Sequence, residues 1–146
     1  MKFKSWLLAA LLALAGPVAA LAQTLPFGPV ETASSGNVAA AVATATLAAP
    51  SGNGTWAITS LDIEGAYATG AAMKTCTVTG IQGGTMTIDV AVGLVTLVSG
   101  IITPPIQYQW TVPLSAVPGT AVVFSCPSFG TGATASSINI HGILLH

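Results

Sequence analysis

The chain has 146 residues, of which 52% are hydrophobic and 5% charged, for a formal net charge of −1. Soluble domains usually carry about a quarter charged residues, so this surface has to be made of Thr, Ser, Gly, Asn and Gln. With no arginine anywhere there is no basic stripe to neutralise phosphates, which excludes nucleic-acid binding, and a chain this apolar is neither disordered nor a basic membrane-surface helix.

Met1-Lys2-Phe3-Lys4 is a short positive segment, Trp6 to Ala15 is an unbroken apolar run, and Gly16-Pro17 ends it. Ala20-Leu21-Ala22 then supplies the small-x-small pattern that signal peptidase requires. Residues 1–22 therefore read as a signal peptide cleaved after Ala22, and the mature chain is expected to be secreted or periplasmic. The apolar run is about half the ~20 residues of a spanning helix, so no stable membrane span is expected once the leader is removed. The mature chain keeps one base, Lys74, against Glu31, Asp62, Glu64 and Asp89. Its roughly 120 residues suffice for one domain with a real core.

Residues 23–36 contain Pro26 and Pro29 and show no regular period, which predicts an extended arm. Leu25 and Phe27 need apolar cover, from their own domain or a neighbouring copy, and are candidate interface contacts. Residues 37–146 form the domain proper. Val38 to Leu47 is rich in alanine, a helix former, but Ala43-Thr44-Ala45-Thr46 alternates, which predicts a strand. Pro50 to Gly54 is a turn, and Asn53-Gly54-Thr55 matches the acceptor sequon for glycosylation.

Trp56 to Glu64 is a strand with Leu61 and Ile63 on one face and Asp62 and Glu64 on the other. The two carboxylates stand roughly 7 Å apart. A glycosidase pair comes from different strands across a cleft, and a calcium site needs six or more oxygens. Asp62 and Glu64 therefore read as a wet strand face and as candidate ligand contacts. Gly65 to Ala72 is a small-residue loop that exposes Tyr67, a third candidate contact. Met73 to Ile81 turns Thr75, Thr77 and Thr79 outward and Cys76 and Val78 inward. Gln82-Gly83-Gly84 leads into Thr85 to Val92, with Met86, Ile88, Val90 and Val92 inward. Leu94 to Ile102 follows, ended by Thr103-Pro104-Pro105.

Ile106 to Cys126 is the most informative stretch. Ile106, Tyr108, Trp110 and Val112 alternate with Gln107, Gln109 and Thr111, giving one apolar and one wet face. Pro113 and Pro118-Gly119 break the run. A second strand carries Val122, Phe124 and Cys126 on one face. Trp56, Tyr67, Tyr108 and Trp110 could form a platform for sugar rings, but the apolar phase of Tyr108 and Trp110 points to core packing. After a Gly-rich loop, Ser136 to Leu145 places Ile138, Ile140 and Leu144 opposite Asn139 and His141. Cys76 and Cys126 both point inward and are expected to form one disulfide closing a loop of about fifty residues, worth roughly 4 kcal/mol.

About eight short strands, with turns every ten residues or so and no helix after the leader, predict a single antiparallel β-sandwich of jelly-roll or immunoglobulin-like topology. No G-x-S-x-G, H-E-x-x-H or paired C-x-x-C is present. His141 lies on the polar phase of the last strand and His146 at the chain end, so no catalytic residue, metal ligand or cofactor is expected.

SSGNVAAAVATATLAAPSGNGTWAITSLDIEGAYAT and the later PLSAVPGTAVVFSCPSFGTGATASSINIHGILL together resemble a class of small β-sandwich proteins of phage and prophage-bearing bacterial genomes. That resemblance covers most of the mature chain. It implies a small sandwich with a structural accessory role in a particle or surface layer, and supplies no catalytic residues. The export leader and the two cysteines set this chain apart and shift the expected role toward the envelope or the exterior. The expected function is thus that of an exported, non-enzymatic structural or interaction protein. It would pack through uncharged faces into a homo-oligomer, surface layer or particle, with a cell-surface or particle partner. The alternative is a secreted module that binds carbohydrate or another ligand.

Overall fold

The computed structural model describes residues 27–67, 72–93, 95–97, 100–130, 133 and 135–146. The leader expected over residues 1–22, and Leu25, lie outside them. The described chain is all-β, with nine strands: β1 (Phe27–Ser34), β2 (Ala43–Leu47), β3 (Thr55–Tyr67), β4 (Ala72–Ile81), β5 (Gly84–Val92), β6 (Val95–Leu97), β7 (Gly100–Ser115), β8 (Val122–Cys126) and β9 (Ala135–Leu145). They form a five-stranded sheet, ordered β1-β9-β3-β7-β6, and a four-stranded sheet, ordered β2-β8-β4-β5. Every pairing is antiparallel. No helix among the described residues is long and apolar enough to cross a membrane.

The pairing has a simple logic. With β6 set aside, β1 pairs with β9, β2 with β8, β3 with β7 and β4 with β5. The chain is folded back on itself as one long hairpin whose tip is the Gln82-Gly83-Gly84 turn, and successive rungs go to alternate sheets.

Period-2 alternation places the core. Ala43, Ala45 and Leu47 of β2 are buried while Thr44 and Thr46 face water, and Val122, Phe124 and Cys126 are buried on β8. Ile58, Leu61 and Ile63 of β3 meet Ile138 and Ile140 of β9 on the inner face of the other sheet. The sheets close tightly over Trp56, which is 3% exposed and donates its indole N–H to the carbonyl of Ala48 at 2.8 Å. A Cβ on Gly142 would lie 2.9 Å from the end of the Leu47 side chain and 3.4 Å from that indole, so any larger residue there would have to push Leu47 aside. Gly80 is stricter still. Its φ of +81° suits glycine, and a Cβ there would collide with the carbonyl oxygen of Ala121.

Cys76 and Cys126 are disulfide-bonded, with a sequence separation of 50, and both are fully buried. The bond joins β4 to β8, adjacent strands of the same sheet, and does not staple the two sheets together.

Several boundaries differ from those the sequence predicts. Leu94 to Ile102 is not one strand: Leu97 pairs with Gly100, so β6 and the start of β7 form a hairpin. Thr103-Pro104-Pro105 does not end a strand but lies inside β7. The ladder shifts there, with Ile63 opposite Ile106 and Gly65 opposite Thr103, so both prolines oppose a single residue, Glu64. A bulge is where a strand tolerates a missing N–H. Pro113 is absorbed in the same way, since Ser60 pairs with Gln109 and Ile58 with Leu114. Within that interruption Val112 leaves the apolar face of Ile106, Tyr108 and Trp110 and is 79% exposed. Strands β7 and β8 belong to opposite sheets, the Pro118-Gly119 turn carrying the chain between them. Of Val38 to Leu47, residues 43–47 are strand and Val38 makes one bridge to Ser136. Residues 27–34 of the expected arm form β1, laid along β9 of their own chain.

Candidate functional site

A hydrogen-bonded group of polar side chains lies on the outer face of the five-stranded sheet, across β1, β9 and β3. On β9, Ile140 and Gly142 face the core, so the pleat turns His141 outward between them. His141 pairs with Thr32 of β1 on one side and with Ser60 of β3 on the other. Thr59 is an extra residue in β3 at this level, since Ile58 opposes Gly142 and Ser60 opposes His141. Asp62, two residues beyond Ser60, comes alongside the imidazole.

Thr32 Oγ1 lies 2.8 Å from His141 Nδ1, and His141 Nε2 lies 2.8 Å from Asp62 Oδ2. The side chains of His141 and Asp62 are each 25% exposed. An ionised carboxylate only accepts, so Nε2 carries a proton and donates to Asp62. In the neutral ring Nδ1 then accepts from the Thr32 hydroxyl, and in the imidazolium it donates to the same oxygen. Both bonds survive in either charge state. Asn139 pairs with both Ser34 and Asp62, and Asp62 and Ser60 pair with Gln107 and Gln109 of β7. The result is a sheet face of hydroxyl, amide, imidazole and carboxylate groups spread over four strands.

Hydroxyl, imidazole and carboxylate in sequence also make up acyl-transfer triads, but there the hydroxyl engages Nε2 and the carboxylate Nδ1. Here the two nitrogens are exchanged. The hydroxyl belongs to a strand, β1, and not to a strained turn. The geometry is that of a fixed hydrogen-bonding platform. Among the described residues no three His, Cys, Asp or Glu side chains are grouped to hold a metal ion.

Glu64 does not join this array. It is exposed opposite Ser137 and borders an open cleft of about 510 Å³, whose walls include Asn37, Pro105 and Ser137. The cleft's inner wall is fixed by Ser136, which is 1% exposed and whose hydroxyl donates to the carbonyl of Val38 at 2.7 Å. Trp56 is a core residue, and Tyr108 and Trp110 pack half-buried against the core. The side chains of Phe27 and Tyr67 lie outside the described residues. Strand alternation turns Asp62 and His141 outward in the sequence, but it neither joins them nor singles out Thr32. The available signal was parity alone. Comparison with protein-family models, curated proteins and solved structures gives no match to this chain.

Proposed function

We propose that this is an exported, non-enzymatic structural or interaction protein, a jelly-roll sandwich that packs through uncharged faces into an oligomer, surface layer or particle. The jelly roll is supported by the pairing of β1 with β9, β2 with β8, β3 with β7 and β4 with β5, the rungs of one wound hairpin. That architecture serves capsids and lectins alike, so the role has to come from the surface. Export is supported by the leader and by a buried disulfide compatible with an oxidising compartment.

The observation that carries the reading is the outer face of the four-stranded sheet. Thr44, Ser125, Thr77 and Thr87 fall in one row across all four strands, and Met73 is 64% exposed on the same face. This hydroxyl-and-methyl face carries one carboxylate, Asp89, and so has little repulsion to keep copies apart. Sedimentation velocity on the full chain as exported tests it. Concentration-dependent oligomers are expected, and a protein that stays monomeric at tens of micromolar refutes it.

The Thr32–His141–Asp62 array favours a second reading, a ligand-binding module that uses the opposite sheet face. Its test is calorimetric titration with a panel of soluble glycans. Binding that Asp62→Ala weakens at least tenfold supports it, and absence of any binding removes it.

A further inference from the structure

Four strand edges border the two sheets, and they are not equivalent. Strand β2 is five residues long and β6 three, while β1 carries Pro29 and a register shift between Phe27 and Val30. Strand β5 is nine residues, GTMTIDVAV, without proline or a basic residue, and among the described residues no strand pairs with its second edge. Its register shift against β4 lies at its start, between Gly84 and Met86, and from Met86 to Val92 the ladder is uninterrupted. Apart from Asp89 it lacks the charge, proline or mid-strand bulge that blunts an edge, and such an edge is a template for further pairing.

The disulfide identifies which groups of β5 are open. Cys76 and Cys126 are 4.2 Å apart at Cα, the narrow spacing of a non-hydrogen-bonded antiparallel pair, about 4.5 Å against about 5.5 Å. The backbone N–H and C=O of Cys76 therefore point away from β8 and toward β5, where its partner is Ile88. Ile88 returns its own groups to β4, so those of Thr87 and Asp89 face the open edge.

We propose that β5 is a homodimer edge, pairing antiparallel with β5 of a second copy about a two-fold axis through Ile88; this rests on the self-association reading above. The strand runs from Gly84 to Val92, so an axis through Ile88 is the one that overlaps all of it. That register sets Thr87 opposite Asp89 of the second copy, twice by symmetry, and Thr85 opposite Ala91. Residues with outward-facing groups then meet one another, closing about eight backbone hydrogen bonds. Asp89 already accepts from Thr75 Oγ1 at 2.6 Å, and the pairing gives it a second hydroxyl neighbour from across the axis. Moving the axis to Asp89 would oppose like charges directly, which is destabilising. On the inner side, Ile88 meets Ile88 and Val90 meets Met86, covering the half-buried Met86 at the rim of the core.

The test is a charge exchange at Thr87, whose exposed side chain leaves the sandwich core untouched. Thr87→Asp places a carboxylate opposite Asp89 at two positions and should raise the dimer dissociation constant on the order of tenfold or more. Thr87→Lys places an ammonium opposite Asp89 and should leave the constant unchanged or lower it, with the gain lost at high salt. Sedimentation equilibrium on the three full-length proteins reads both, with circular dichroism as the check on folding. A wild-type dimer weakened by Asp and not by Lys supports the edge. A wild-type oligomer with any other response overturns the edge and leaves self-association standing. A monomeric wild type overturns both.

Discussion

Removing the Cys76–Cys126 bond is the sharpest perturbation of this fold. The loop it closes spans 50 residues, for which the chain-entropy relation gives about 4 kcal/mol of stabilisation at 25 °C. Replacing both cysteines by alanine also empties the space of two fully buried sulfurs, adding about 1 kcal/mol at each site. A small domain has only about 5–15 kcal/mol in total, so the Cys76→Ala/Cys126→Ala protein should stand near its unfolding threshold. Because the bond links strands already paired within one sheet, the folded state itself should change little. Urea denaturation of the oxidised wild type and the double variant, followed by far-ultraviolet circular dichroism, measures the difference. The expected loss is at least about 4 kcal/mol, with a fall in Tm of about 15 °C or more. A loss under about 1 kcal/mol, or two alkylatable thiols in the native exported protein, would refute the argument and weaken the case for an oxidising compartment.

Trp56→Ala should cost about 3–5 kcal/mol in the same assay, because its indole is 3% exposed and bonded to Ala48. Trp110→Ala, at a half-buried position, should cost about 2 kcal/mol, and loss of glycan binding without loss of Tm would instead mark Trp110 as a ligand contact. Gly80→Ala should cost more than about 3 kcal/mol in urea titration, since it combines a positive φ with a collision at Ala121; a neutral effect would mean the β4–β8 approach is looser than described. For the outer-face array, a double-mutant cycle of Thr32→Ala and Asp62→Ala should show a coupling of about 0.5–1 kcal/mol through His141. Strict additivity would show that the two hydrogen bonds act independently.

Most strands were legible because their side-chain period is uniform. Thr44, Thr46, Thr75, Thr77 and Thr87 all face water as alternation requires, and Cys76, Val78, Phe124 and Cys126 all lie in the core. At the prolines a local signal is overruled by pairing. Pro104, Pro105 and Pro113 are breakers by their own chemistry, yet β3 accommodates them by giving up ladder contacts opposite Glu64 and Thr59. Leu94 to Ile102 is so evenly apolar that period could not divide it, although Ser99-Gly100 is a turn dipeptide. Val112 kept its phase in the sequence and lost it in the fold, because the ladder on β3 lapses beside it.

The outer-face array was illegible for a different reason. Thr32, Asp62 and His141 are 109 and 79 residues apart along the chain in the two bonds that join them, and nothing local ties any one of them to the others. Their meeting depends on strand order, which sets β9 between β1 and β3, and on the extra residue Thr59, which fixes the register that brings Asp62 beside the ring. The same long-range dependence applies to the open edge of β5, whose sequence alternates like that of any half-buried strand. Strand β4 alternates just as cleanly, with Cys76 and Val78 inward and its threonines outward, yet β4 is paired on both sides and β5 on one. The side-chain pattern reports which face of a strand is buried. Which edge is left open is decided by the order in which the long hairpin winds, and among the described residues that order leaves the longest proline-free edge strand, with Asp89 as its one charged residue, at the border of the hydroxyl-rich sheet.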